Sequence, residues 1–509
     1  MLADCKLKNN SQTDDKANGE NIPFRIVILG GGTAGWMAAN LFAKQWGKRR
    51  AIITLIESPD VGIIGVGEGS TPTLKRFFKK MDISDKDWMP KCNATYKVSI
   101  KFKGWSPKSG ITSYGHPFTS QVDSFTTRAF MLNCRTRCLG LDTHTQPEDF
   151  LLNGVLASQN KIPIAPSNFP FITEYGYHFD SNLLGQYLSG VAVELGVNFR
   201  QEHIVSVHRN TNGDVESLET KEGEKIEGDL FVDCSGFSSV LMQKSLGVKF
   251  KNYKENLLND SAIVMPTEMS ERTPVETVST CLSAGWSWKI PLTNRFGNGY
   301  VYSSDFITSN KAETEFRIHL NQLESNEECR HLKMRVGRLE EQWVNNCLGL
   351  GLSQGFIEPL EATALHLVQI CIEKFISTFE SADFTDKNRS AYNCDIAQRF
   401  DGVRDYIFAH YKLNTRDDSD YWIANRDNQN ISDSLAQILN VWYQREDLLA
   451  EIERQNISQH FDPISWYCLL AGYGAFPILA NNQPANGDQY VERDIALFLN
   501  GCSENFKSD

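Results

Sequence analysis

Three glycines, one lysine and two glutamates are the residues of this chain whose types and spacing could carry chemistry. Gly30, Gly32 and Gly35 stand at G-x-G-x-x-G spacing. The apolar run Ile26 to Leu29 before them reads as a buried strand. A helical pattern with Trp36, Ala39, Asn40 and Phe42 follows from Thr33. A second apolar run, Ile52 to Ile56, ends in Glu57. Together these make a βαβ unit whose glycine turn, with Thr33 and Ala34 opening the helix, can lay backbone N–H groups against a pyrophosphate. Glu57 sits where a carboxylate would hold an adenosine ribose. This stretch alone does not choose between FAD and NAD.

Lys97 and Glu361 are less distinctive in local pattern. Between Asn93 and Trp105, Tyr96, Val98, Ile100 and Phe102 alternate with Lys97, Ser99, Lys101 and Lys103. That reads as one strand with one polar face, and Lys97 reads as a solvated lysine on it. Glu361, Ala362, Thr363 and Ala364 stand at the start of a long amphipathic helix, whose apolar positions include Leu365, Val368, Ile372, Phe375, Ile376 and Phe379. Free N–H groups at such a start can bind a small anion. Glu361 by itself reads as a first-turn acid that complements the helix dipole.

The elements that must position these residues follow from pattern. Gly62, Gly65, Gly67 and Gly69 punctuate a loop that also holds Val66 and Glu68, and can approach a ligand backbone-first. Thr71-Pro72 starts a helix over Leu74 to Met81. Residues 106–170 read as loops and short helices of an inserted lobe. The stretch His178 to Leu188 reads as a helix start and helix. Short β-runs with Asn-Gly and Glu-Gly turns fill Val197 to Asp233. Leu230 to Asp233 runs into a glycine turn that could rejoin the first sheet near the ligand. Trp286 and Trp288 share one face of a strand, and Asn298-Gly299 fits a hairpin turn. From about Ser390 the chain is mostly helical. Arg416, Asp417 and Asp418 read as a charged structural junction. The reading divides the chain into a disordered leader (1–22), two parts of a nucleotide-binding module (23–105 and 196–380), a substrate-module insertion (106–195) and a helical C-terminal layer (381–509).

Composition bounds the partners. A net charge of −12 disfavours nucleic acid and anionic membrane surfaces. The 12 cysteines lack C-x-x-C pairs, which reads as reduced cytoplasmic thiols and no metal site. No segment has the length and apolarity of a membrane span, Trp466 to Ala480 being short and broken by glycines and Pro477.

Taken together, several motifs resemble one family, the flavin-dependent halogenases of the tryptophan halogenase type. They are Gly30 to Trp36, Gly65-Val-Gly-Glu68, Trp88 to Lys97, Gly285-Trp-Ser-Trp-Lys-Ile-Pro291, Glu358-Pro-Leu-Glu-Ala-Thr363, and His410-Tyr411 followed by Arg416-Asp-Asp418. The resemblance implies an α/β fold like that of aromatic hydroxylases, with a Rossmann-like FAD module interleaved with a mixed α+β substrate module. It implies that reduced FAD, oxygen and a halide ion (chloride or bromide) yield hypohalous acid. Thr363 and Ala364 match the halide site, and Gly65 to Gly69 match a strap over the flavin. Lys97 matches the lysine that receives the hypohalous acid, by hydrogen bonding or as a haloamine. Glu361 matches the carboxylate that assists and takes the ring proton. His116 and Phe118 match an H-x-F pair that sandwiches the substrate. This reading of Lys97 replaces the solvated one. The chain shows no reductase domain, so a separate NAD(P)H-dependent flavin reductase is the implied partner; a homodimer is compatible with the reading.

Departures from the family pattern bear on substrate. Ala362 stands where many tryptophan halogenases have serine, and Ala364 where they have glycine. The chain runs from Gln459 almost directly to Trp466, without the longer segment that clamps the amino and carboxylate groups of free tryptophan. An indole, an indole-containing compound or a phenol is therefore expected ahead of free tryptophan. The competing readings are an FAD-dependent aromatic hydroxylase, which needs no Lys97–Glu361 pair, and a flavin-binding protein without catalysis. An NAD dehydrogenase is least favoured, for want of a second nucleotide fingerprint.

Overall fold

The computed structural model describes residues 23–47, 51–60, 67–459 and 461–508. The leader, Gly65 and Val66 lie outside the described residues. The strand Phe24–Leu29 is central to a six-stranded sheet, between Leu230–Asp233 and Ala51–Glu57, both parallel to it. Its apolar run is buried on both faces: Ile26 and Ile28 pack with the helix Thr33–Phe42, and Val27 and Leu29 pack with Val215, Leu218 and Ile226 of a separate three-stranded sheet. The helix Thr33–Phe42 lies between the sheet and the helices Ser181–Glu194 and Ala364–Ser381. Cys347–Gly349 and Asn198–Gln201 extend the parallel array, and Trp343–Val344 closes one edge antiparallel. The turn after Leu230–Asp233 does rejoin the first strand.

A seven-stranded sheet forms the second layer, in the order Arg330–Lys333, Ser261–Thr267, Phe296–Tyr302, Gly285–Pro291, Glu276–Leu282, Ser99–Ser106 and Ile111–Pro117. A small three-stranded sheet, Gly67–Gly69, Gly176–Asp180 and Thr95–Lys97, bridges the two. The C-terminal part is helical, with Arg389–Lys412 as its longest element. No helix among the described residues is long and apolar enough to cross a membrane.

Three local expectations are corrected. The stretch Asn93 to Trp105 is two strands in different sheets, broken at Val98. There the Val98 N–H donates to the Val275 carbonyl at 2.8 Å, and its carbonyl accepts from Phe118 N–H at 2.9 Å. Alternation continues across the break, but the surroundings change, so Lys97 and Ser99 are buried at 0% and 1% exposure. His178 belongs to a strand, and the helix begins at Ser181, where the Asp180 carboxylate accepts from the N–H groups of Asn182 and Leu183. Asn298-Gly299 lies in mid-strand, opposite Lys289 and Trp288, and the turn falls where Leu292 N–H meets the Arg295 carbonyl.

Gly299 has a packing reason. A Cβ there would lie 2.1 Å from the Trp288 indole, which covers the strand at that point. Gly299→Ala should therefore lower stability by about 2 kcal/mol, in the range of an overpacked core. Thermal or denaturant unfolding checks this.

Candidate active site

A cavity of about 590 Å³ runs between the two sheets. At one end it is lined by Gly30, Gly32, Thr33, Ala34, Glu57 and the loop Cys234 to Ser238; Gly67, Glu68, Trp286, Ile290 and Lys97 also line it. The glycine turn suits a dinucleotide. Gly30 has φ +118°, and a Cβ on it would collide with the Cys234 carbonyl at 2.2 Å. A Cβ on Gly32 would meet nothing within 4 Å, so its backbone faces open space at a helix N-terminus with no acid in its first turn. Gly35 does not line the cavity; it lets the helix close on the strand, since a Cβ would lie 2.0 Å from the Gly30 carbonyl. Glu57 ends its strand half-buried, and burial pushes its carboxyl upward. The strap glycines within the described residues form the strand Gly67–Gly69, pairing with Asp180 to His178. Burial pushes the Glu68 carboxyl up to about 7. The loop at Cys234 is held by buried Asp233, whose carboxylate accepts from the N–H groups of Ser235, Leu241 and Met242 at 2.8–3.0 Å.

Lys97 lies in the wall of this cavity. Its Nζ is buried with no hydrogen-bond partner, 5.5 Å from the centre of the Phe118 ring. Burial pushes the ammonium down to about 7, against the opposing pull of the Glu361 carboxylate. His116, Phe118 and Glu361 do not line the cavity. His116 and Glu361 belong to a second cluster, and Phe118 lies beside Lys97.

Glu361 is the centre of that cluster. His116 Nδ1 stands 3.0 and 3.1 Å from its two oxygens, and His410 Nε2 stands 3.0 Å from Oε1. Burial alone would raise this carboxyl; the two imidazoles outweigh it and hold the group at about 2. His116 is raised, because Glu361 outweighs the burial that opposes its charge, whereas burial lowers His410. His116 Nε2 also meets Ser465 Oγ at 3.2 Å, so both ring nitrogens are engaged. Tyr406 stands beside it at 6.3 Å between ring centres, with Phe461 stacked flat on Tyr406 and Trp466 edge-on.

The turn before the helix Ala364–Ser381 carries the remaining site residues. Ala362 sits at φ +55° and lines the cavity, as does Ala364. Thr363 sits at the helix N-cap, with its hydroxyl buried and unpartnered. Glu358 braces this turn: Oε2 accepts from Trp286 Nε1 at 2.9 Å, Asn259 Nδ2 at 2.9 Å and the Tyr411 hydroxyl at 2.5 Å. Sequence reasoning assigned no role to Glu358, Asn259 or His410. The motifs holding Glu358 and His410 were visible, but nothing local connected them to Trp286 or Glu361.

Comparison with known proteins agrees with this arrangement. The tryptophan halogenase family model matches residues 25–485. The chain is 37% identical over 491 residues to 7-chloro-L-tryptophan 6-halogenase KtzR of Kutzneria sp. (strain 744), covering 91% of this chain and 93% of that protein. The crystal structure of tryptophan 6-halogenase SttH from Streptomyces toxytricini superposes with a TM-score of 0.82 at 32% identity, over 96% of this chain and 98% of that one. Xcc4156, a flavin-dependent halogenase from Xanthomonas campestris, does so with a TM-score of 0.79 at 30% identity, over 95% and 94%. A nucleotide cradle, a cavity leading to a buried lysine, and a family match across nearly all of the sequence together place this chain in the tryptophan halogenase family, as a flavin-dependent halogenase.

Proposed function

We propose that this protein halogenates an electron-rich arene of the indole type, using hypohalous acid that Lys97 holds and Glu361 helps to discharge. The observation that carries the reading is the Lys97 ammonium, buried and unpartnered between the flavin-side cavity and the His116–Glu361 cluster. Gly30, Gly32, Thr33, Ala34, Glu57, Gly67 and Glu68 would hold FAD, and the N–H groups at Thr363 and Ala364 would hold the halide. Bound reduced FAD supplies, with oxygen and halide, the hypohalous acid. A free FAD reductase is the partner this chemistry needs.

Each residue then has a task. A diffusible electrophile must be delivered to one carbon, and a donor at a fixed point does this. Lys97 donates to the oxygen of the hypohalous acid. As halogen passes to the ring carbon, the departing hydroxide takes the Lys97 proton and leaves as water. Glu361 takes the ring proton. Its anionic form is secured by His116 and His410, so it is ready to accept at neutral pH. Phe118 and the faces of His116 suit a flat ring. The short connection from Gln459 to Trp466 favours an indole or indole-containing substrate, with free tryptophan retained as a candidate. Ala364 narrows the halide site relative to glycine and bears on halide preference.

With a flavin reductase, NADH and bromide, a mass-spectrometric screen of indoles, tryptophan and phenols should find products that gain bromine. Products that gain oxygen instead would establish the hydroxylase reading. Lys97→Ala should lower product formation about 100-fold or more while leaving flavin binding intact.

The pH dependence follows from the ammonium pushed down to about 7. A donor must be protonated, so product formed per oxidant should be highest below pH 7 and fall as pH rises through it. Under the haloamine route, which needs the free amine, the same ratio would rise. Measuring product against total trapped oxidant from pH 6 to 9 separates the two.

A further inference from the structure

Lys97 shares its position with a second polar atom that the mechanism above does not use. A Cβ on Gly69 would meet Lys97 Nζ at 3.2 Å, Thr277 Oγ1 at 3.4 Å and His178 Cδ2 at 3.6 Å. These three groups therefore surround one small space that a glycine keeps open. The strand register brings them there. His178 lies opposite Gly69 on one side and Thr95 on the other, with Lys97 two residues beyond Thr95. Thr277 arrives from the neighbouring sheet, in register with Ile100. Thr277 lines the same cavity as Lys97, and so does Ser279, two residues along the strand, whose hydroxyl is buried and unpartnered.

The direction of each hydrogen bond follows from a group that can only accept. The Pro291 carbonyl takes the Thr95 hydroxyl hydrogen at 2.8 Å. With that hydrogen committed, Thr95 Oγ1 accepts from His178 Nδ1–H at 3.0 Å. His178 is fully buried, and burial together with the Lys97 charge keeps its ring neutral. Its Nε2 is then an acceptor and takes the Thr277 hydroxyl hydrogen at 2.9 Å. The chain leaves Thr277 Oγ1 with lone pairs and no hydrogen for the space beside Lys97.

We propose that Thr277 is a second contact for hypohalous acid, its oxygen accepting the oxidant's O–H while Lys97 Nζ donates to the oxidant's oxygen. His178 is the positioning residue that makes Thr277 an acceptor. The proposal rests on the halogenase reading above and deepens it. One hydrogen bond leaves a small oxidant free to swing about the N–H···O axis. Two, one received by the oxidant's oxygen and one donated through its O–H, fix where its halogen points. The charged and titratable groups acting on Lys97 are Glu361, His116 and His178. Of these, His178 is the one hydrogen-bonded to Thr277.

The test compares Thr277→Val, which keeps the shape and removes the acceptor, with Thr277→Ser, which restores it. Each is assayed as flavin-loaded enzyme with reductase, bromide and an accepted indole, with an added thioether to trap escaping oxidant. Thr277→Val should leave total oxidant unchanged, lower the ratio of brominated product to trapped oxidant about tenfold, and spread bromine over more ring positions. Thr277→Ser should recover ratio and regioselectivity. His178→Gln should resemble Thr277→Val, and the double variant should be no worse than either alone. Should Thr277→Val fail to bind flavin, Thr277→Ala gives the same readout. If Thr277→Val or Thr277→Ala keeps the wild-type ratio within twofold and a single product isomer, the assignment of Thr277 is overturned. If the wild type yields neither brominated product nor trapped oxidant, the halogenase reading fails first.

Discussion

An ammonium group taken out of water without a partner is the constraint on which this architecture turns. Removing such a charge from solvent costs several kcal/mol, about as much as a domain's whole net stability. The fold meets that cost in three ways. The Lys97 proton is held only weakly, near neutrality. The Glu361 carboxylate acts on it from the neighbouring cluster, and the face of Phe118 lies 5.5 Å away. An arrangement this unfavourable persists because the strands on either side over-determine it. Thr95–Lys97 is pinned to Gly176–Asp180, and Ser99–Ser106 to a different sheet.

The same break in the strand separates two chemistries. On one side lies the cavity with the glycine turn, Glu57 and the acidic strap residue Glu68. On the other lies the His116–Glu361–His410 cluster, where burial and two imidazoles are balanced so that the carboxylate remains ionised. Trp286 lines the cavity, and its N–H is fixed to Glu358, three residues before Glu361. That bond ties the cavity wall to the turn carrying Ala362, Thr363 and Ala364. A rigid partition suits a reactive intermediate, since a wall that opened would release it to water.

The surroundings of His116 and Glu361 are built differently from the cavity. Gly30, Gly31 and Gly32 line the cavity where it meets the N-terminus of the helix Thr33–Phe42, which leaves backbone open to close approach. Beside His116 stands Tyr406, with Phe461 and Trp466 packed on it and Ser465 on the imidazole. Stacked and edge-on rings of this kind resist rearrangement.

How much of this was legible in the sequence depends on how far each feature reaches along the chain. The βαβ unit at Phe24 to Glu57 is local: strand, turn, helix and acid are set by periodicity and by Gly30 and Gly35, which no other residue could replace without a clash. The amphipathic helix after Thr363 is local for the same reason. Lys97 was legible as a position and not as an environment, because alternation states which residues share a face and not whether that face meets water. Gly299 was misplaced because Asn-Gly usually turns a chain, whereas here the glycine makes room for Trp288 from the next strand. By itself, then, the sequence determined the βαβ unit and, through its assembled motifs, the family. Only tertiary structure decided that Lys97 is buried, that Glu361 meets a histidine 245 residues away and another 49 away, and that Thr277 faces the lysine. Burial and charge are properties of what packs around a residue, and those partners arrive from strands and helices that no local pattern connects.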